Sequence, residues 1–315
     1  MNAPVQRASA PVAVLVNPDA GTGAVETSDM QGVLGDRGFA RDVRTPAALR
    51  EFARSARDAR VAAVAICGGD GTLGRVVTAL CQEYGEGLLP LIAPLGGGTM
   101  NTIARSLGLR RLDPVPQLAA ILDGDGVERV PQGTMVVNGA RIGFMLGAGV
   151  PARFLELYER GASLGALRAA RVVGELSVSA LIGGGSAERL FAPVSTRVTL
   201  DGRDVGLEEL SILYAAVIDE IGLGFRPTPR ARDRLGSFQV IAAAARAMDL
   251  VRALPRLWWR GGVDGGEWVD ACVEEVVVAF GEPSAYMVDG DLEQPVDSLE
   301  VRAGPIVEML VARRV

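Results

Sequence analysis

Three glycine-rich segments carry the residues most able to do chemistry: Asn17-Pro18-Asp19-Ala20-Gly21, Gly68-Gly69-Asp70-Gly71-Thr72 and Gly96-Gly97-Gly98-Thr99-Met100-Asn101. Glycine tolerates positive φ and lets a backbone amide come close to a phosphate oxygen. A helix beginning directly after such a loop adds free N–H donors and a favourable dipole. Thr72 and Thr99 stand where helix-capping hydroxyls are expected. Any one of these segments alone reads equally well as an ordinary strand-to-helix turn. Three of them, each after a strand of one sheet, point to anion binding at its edge. Asp70 is the odd member, since a carboxylate repels phosphate unless a cation lies between them. It points to a divalent ion bridging Asp70 to nucleotide phosphates. Asp289-Gly290-Asp291 offers further carboxylates, although Asp-Gly is equally a hairpin signal.

The missing residue types narrow the chemistry. The chain has no histidine, and all 32 basic residues are arginine. A Walker-type lysine, a Ser-His-Asp triad, a lysine Schiff base and a histidine-ligated metal are therefore excluded. What remains is carboxylates, hydroxyls, backbone amides, arginines and a metal held by oxygen. The net charge of −6 argues against nucleic-acid binding. Cys67, Cys81 and Cys272 show no metal-ligand spacing, and their odd number fits a reducing cytoplasm. The first eleven residues lack a hydrophobic signal core. The longest uncharged run, 87–104, holds two prolines and a Gly-Gly-Gly, which excludes a membrane helix there.

The elements that must position these loops follow from the apolar pattern. Short β-branched runs at 12–16, 39–45, 61–66 and 88–93 read as strands, alternating with helices at 46–60, after Thr72 and up to Leu107. Strand, glycine loop and helix in repetition predict an α/β fold, with an N-terminal doubly wound, mainly parallel sheet binding ligand at the strand C-terminal ends. Beyond about residue 127 the pattern changes. Strands are expected at 127–135, 140–146, 194–200, 210–217, 237–242, 274–280 and 285–288, with helical stretches at 152–182 and 245–259. That pattern predicts a mainly antiparallel, β-rich C-terminal domain. The expected division is 1–126 plus 304–315 for the nucleotide-binding domain and 127–303 for the substrate domain, the final strand at 306–311 returning to the first.

The motifs in this order resemble the diacylglycerol kinase catalytic-domain family, including its bacterial soluble lipid kinases and relatives of sphingosine kinase. The resemblance rests on N-P-x-A-G (17–21), G-G-D-G-T (68–72), P-x-G…T-x-N…A-R (94–105), D-x-x-G-x-x-x-V (233–240) and the D-G-D turn (289–291). It implies ATP- and Mg²⁺-dependent phosphorylation of a lipid hydroxyl, of diacylglycerol or sphingoid type, with the lipid entering between the domains. It places nucleotide contacts at Asn17, Gly21, Thr45, Gly68, Gly69, Asp70, Gly71, Thr72 and Thr99. It makes Asp70 and Asp291 catalytic, and Asp70 and Asp233 metal-associated. Three departures stand out. Asp291 replaces the family glutamate, the third loop is two glycines longer, and Thr102 stands where many members carry aspartate. NAD kinases share similar loops, so NAD phosphorylation is a second reading, and a nucleotide- or lipid-binding sensor without turnover is a third.

One segment points to a partner instead. Residues 226–260 carry eight arginines and two aspartates, whereas 261–300 carry eleven acids and no arginine. Arg252, Arg256 and Arg260 share a helical face beside Trp258 and Trp259, which suits an anionic membrane surface. The other reading is a solvated face packed beside the acidic stretch. Residues 161–182 are apolar and read either as core or as the lining of an acyl-chain cleft. The localisation expected is cytoplasmic, with peripheral membrane association and homodimerisation left open.

Overall fold

The computed structural model describes residues 11–21, 25–98, 100–109, 113–159, 185–221, 224–259, 261–263 and 268–313. The chain divides into two compact units, Met1–Gln132 with Ile306–Val315, and Gly133–Pro305. The sequence boundary at 126/127 falls at the start of a strand that belongs wholly to the first unit.

In the first unit, β1 (Val12–Val16), β2 (Gly38–Asp42), β3 (Ala63–Gly68) and β4 (Leu91–Gly97) are parallel neighbours in the order β2-β1-β3-β4. The C-terminal strand Val307–Ala312 adds on beside β4 in parallel, and β5 (Val127–Gln132) closes that edge antiparallel to it. β1 and β3 are buried along their whole length, as their uninterrupted apolar runs require of strands covered on both faces. The covering helices include α1 (Thr27–Leu34), α2 (Pro46–Asp58), α3 (Asp70–Tyr84), the short α4 (Thr102–Ser106) and α5 (Pro114–Asp123). Met30 and Leu34 of α1 and Leu118, Ile121 and Leu122 of α5 pack on one core with Val14, Ala65 and Leu95. Helices α1 and α5 have no counterpart in the pattern reading: glycine and polar residues dilute the apolar face of α1, and α5 opens on two prolines, Pro114 and Pro116.

The second unit is antiparallel in every described pairing. Its strands are β6 (Met135–Val137), β7 (Arg141–Gly143), β8 (Met145–Gly149), β9 (Val194–Leu200), β10 (Arg203–Asp204) and β11 (Glu209–Leu210). They continue as β12 (Ile212–Ala216), β13 (Phe238–Ala243), β14 (Val269–Val273), β15 (Glu275–Val288) and β16 (Asp291–Ala303). The order is β14-β13-β12-β8-β15-β16-β6-β7, with β9 joining β15 and carrying β10 and β11. The two strands expected at 274–280 and 285–288 are one. β15 runs through both, with register irregularities between Ala279 and Tyr286, and changes neighbour from β9 to β8 along its length. Its partner β16 escaped the apolar pattern because its sequence, DLEQPVDSLEVRA, is polar and contains proline. Among the described residues the helices of this unit are α6 (Val150–Glu159), α7 (Gly185–Leu190) and α8 (Ala247–Trp259). The apolar stretch 161–182 lies outside the described residues.

Candidate functional site

Because β1, β3 and β4 are adjacent and parallel, the three glycine loops leave the sheet at the same edge. They are joined to one another by backbone contact. A Cβ built on Gly21, whose φ is +71°, would stand 2.1 Å from the Gly97 carbonyl oxygen. One on Gly98 would stand 2.3 Å from Gly69 Cα. Neither neighbour is a side chain that can turn away, so glycine is required where the loops meet. A register irregularity between Ile66 and Cys67 leaves Leu95 as an extra residue and turns β4 into its loop. Asn17 donates through Nδ2 to the Thr72 hydroxyl at 2.8 Å and accepts the Asp19 amide at 3.1 Å, tying the first loop to the second. Asn101, buried and at φ +50°, clamps the third loop by accepting the Gly98 amide and donating to the Gly98 carbonyl. Its part was absent from the sequence reading, although the spacing of 98 to 101 is the signal that could have revealed it.

Asp70 has partners inside the protein. Its Oδ2 accepts the Thr102 amide at 2.8 Å and its Oδ1 the Ile103 amide at 2.9 Å. The carboxylate therefore caps α4 from another helix and fixes the third loop against the second, a role that sequence spacing does not encode. Burial pushes its pKa up, against the opposing pull of those two amides, the Thr102 hydroxyl and the Arg105 charge. The Thr102 side chain, in place of the family aspartate, thus becomes a donor to Asp70. Each oxygen accepts one amide and keeps a second lone pair, so these bonds leave Asp70 able to meet a cation as well. Among the described residues no group of three or more acidic, histidine or cysteine side chains gathers to hold a metal ion.

The first turn of α3 suits an anion better. Its N-cap is Gly69, without a side-chain cap, and the amides of its first turn have no acceptor within the helix. Thr72 lies inside this helix, so it is not the capping residue that the sequence suggested. Thr45 is a true cap: its hydroxyl accepts the Ala48 amide at the start of α2. Thr99 lies outside the described residues. Cys67, beside Gly68, is an inert thiol, pushed by burial to about 12.

In the second unit, Asp289 and Gly290 both have positive φ and make the hairpin turn between β15 and β16. Asp289 is buried, and its Oδ1 accepts the amides of Phe144 and Met145 at 2.8 and 3.0 Å. Asp291 opens β16, partly exposed, with its Oδ2 accepting Arg141 Nη2 at 3.0 Å. The turn itself is thus built by Asp289, and Asp291 stands at the first position of the strand that follows. Arg141 was not anticipated, because it is 150 residues from its partner in sequence. Asp233 is exposed in a turn after Arg230, away from regular structure. Among the described residues it does not join a group of three or more such side chains that could hold a metal ion.

Residues 11–130 match the family model of the diacylglycerol kinase catalytic domain. That match spans less than half of the chain. The matched stretch contains all three glycine loops and Asp70. Solved structures from Bacillus anthracis str. Sterne share the fold over nearly the whole chain. One, described as a diacylglycerol kinase, has a TM-score of 0.67 at 14% identity, covering 96% of this chain and 97% of its own. Two others, provisionally described as diacylglycerol kinases, have TM-scores of 0.73 and 0.68 at 15% and 16% identity. They cover 99% and 95% of this chain, and 99% and 96% of their own. No curated protein is a significant match. Among the described residues no helix is long and apolar enough to cross a membrane.

Proposed function

We propose that the protein is an ATP-dependent lipid kinase that transfers the γ-phosphate to a hydroxyl of a diacylglycerol- or sphingoid-like lipid. The observation that carries this reading is the joined edge of β1, β3 and β4. There, three glycine loops meet backbone to backbone beside the uncapped first turn of α3. Phosphoryl transfer needs positioned phosphates, neutralised charge and help in deprotonating the acceptor. Amides of the second loop and of the first turn of α3 would bind phosphate oxygens without any lysine. Asn17 and Asn101 hold the loops in place, and Asp70 holds the third loop through α4. Magnesium accompanying the nucleotide would supply further charge neutralisation.

Asp291 is the proposed general base, with Arg141 fixing its carboxylate. It takes the proton of the lipid hydroxyl as that oxygen attacks the γ-phosphorus and ADP departs. A carboxylate is a weak base towards an alcohol, so proton removal accompanies transfer instead of preceding it.

The test is transfer of labelled γ-phosphate from ATP to a panel of diacylglycerol, monoacylglycerol, sphingosine, phosphatidylglycerol and NAD. Asp291→Asn should lower kcat on the accepted lipid by about 10²–10⁴-fold while leaving ATP-analogue affinity unchanged. Label on NAD alone would replace this reading with an NAD kinase. Analogue binding without transfer to any acceptor would replace it with a nucleotide sensor.

A further inference from the structure

Helix α8 is apolar on two sides. Leu250, Ala253 and Leu257 face the core, packing with Ile241, Val263 and Trp268. The helical repeat turns Val251, Pro255, Trp258 and Trp259 the other way, with Arg252 beside them. Trp259 is 93% exposed and Trp258 66% exposed. A helix that covers a core with one face ordinarily gives charged side chains to water on the other. Here the outward face ends in two indoles. Phe225 lies 6.1 Å from the Trp258 ring, and Ile221, 41% exposed, bonds through its amide to the Phe225 carbonyl, which extends the apolar surface. Arg260 of the expected arginine stripe lies outside the described residues, and Arg256 is only half exposed, so the patch rests on Arg252 and the tryptophans.

Charge decides what covers this face. The chain is acidic, with a net charge of −6, yet 226–260 carries eight arginines against two aspartates. Arg226, Arg230 and Arg234 are paired with Asp219, Asp270 and Glu274. Arg252 is 74% exposed, and its nearest acid, Asp249, is 3.8 Å away and also exposed, a weak pair. A second copy docked symmetrically would set the same arginine-bearing faces against each other. Indoles have an apolar body and a polar N–H, and they settle at the boundary between acyl chains and water. Arginine beside them attracts anionic headgroups.

We propose that the outer face of α8, through Trp258, Trp259 and Arg252, docks on an anionic lipid bilayer. The inference goes beyond the kinase reading and needs no turnover, so the two fail separately. The full chain is sedimented with phosphatidylcholine vesicles, with and without phosphatidylglycerol, in the absence of ATP and diacylglycerol. Binding to the anionic vesicles should exceed binding to the neutral ones by about tenfold and weaken with salt. Trp258→Ser with Trp259→Ser should weaken it at least about tenfold, with unchanged circular dichroism. Arg252→Glu should weaken binding to anionic vesicles only. Brominated acyl chains should quench tryptophan fluorescence in the wild type and not in the double variant. No vesicle binding, or equal binding by the double variant, overturns the proposal. So does a wild-type dimer that the double variant converts to monomer.

Discussion

Replacing Asp70 by alanine removes both acceptors that hold the start of α4. Thr102 and Ile103 are 1% and 0% exposed, so water does not readily replace the lost oxygens. Each buried amide left without a partner costs about 1–3 kcal/mol. Removing a desolvated carboxylate offsets part of that, so a net loss of about 2 kcal/mol is expected. Urea unfolding of wild type, Asp70→Ala and Asp70→Asn measures it; asparagine keeps one acceptor and should recover part of the loss. The pH dependence carries a distinctive sign. Asp70 has a folded-state pKa raised above its ordinary value, chiefly by burial. Its contribution is therefore fully present below the unfolded pKa of about 4 and is lost as pH rises through the raised folded value. The stability gap between wild type and Asp70→Ala should accordingly be widest in acid and narrow towards neutrality. A carboxylate whose hydrogen bonds outweighed its desolvation would show the opposite trend. The reasoning fails if alanine is tolerated within about 0.5 kcal/mol, or if the gap widens as pH rises. It fails equally if Asp70→Asn keeps full stability while the magnesium dependence of ATP-analogue binding collapses, because Asp70 would then be a cation ligand.

Gly98→Ala should destabilise by about 1–3 kcal/mol and weaken ATP-analogue binding, since its Cβ would meet Gly69 Cα at 2.3 Å; thermal unfolding and titration calorimetry read the two effects. Gly32→Ala within α1 is the matching control, for nothing lies within 4 Å of its Cβ, and a gain of about 0.5–1 kcal/mol is expected. Asp289→Ala should cost about 2 kcal/mol by stranding the buried amides of Phe144 and Met145. Asp289→Asn should be milder, because asparagine tolerates the φ of +52° and keeps an acceptor. Iodoacetamide should modify exposed Cys272 well before buried Cys67, whose thiol is pushed to about 12 and should react only on unfolding; peptide mass spectrometry after timed quenching distinguishes them.

The sequence alone determined the strands β1, β3 and β9, the helix α2 after Thr45 and Pro46, and the return of the C-terminal strand to the first sheet. Their signals are local: continuous β-branched runs, a capping residue, proline at the first helical turn. It also determined that glycine loops follow three strands, and that lysine and histidine chemistry is absent. Tertiary structure alone decided what the polar residues in those loops do. Asp70 read as a cation ligand because its sequence neighbours are glycines of a phosphate-loop type; the partners the fold gives it inside the protein, Thr102 and Ile103, are 32 and 33 residues away. Asp291 and Arg141 meet across 150 residues, and Asp289 reaches amides 145 and 144 residues away. Spacing along a chain fixes periodicity and turns, whereas a carboxylate's role depends on which donors the fold brings within hydrogen-bonding distance. Strand β16 shows the same limit in the backbone: its polar sequence carries almost no apolar alternation, and it is a strand because β15 pairs with it along most of its length.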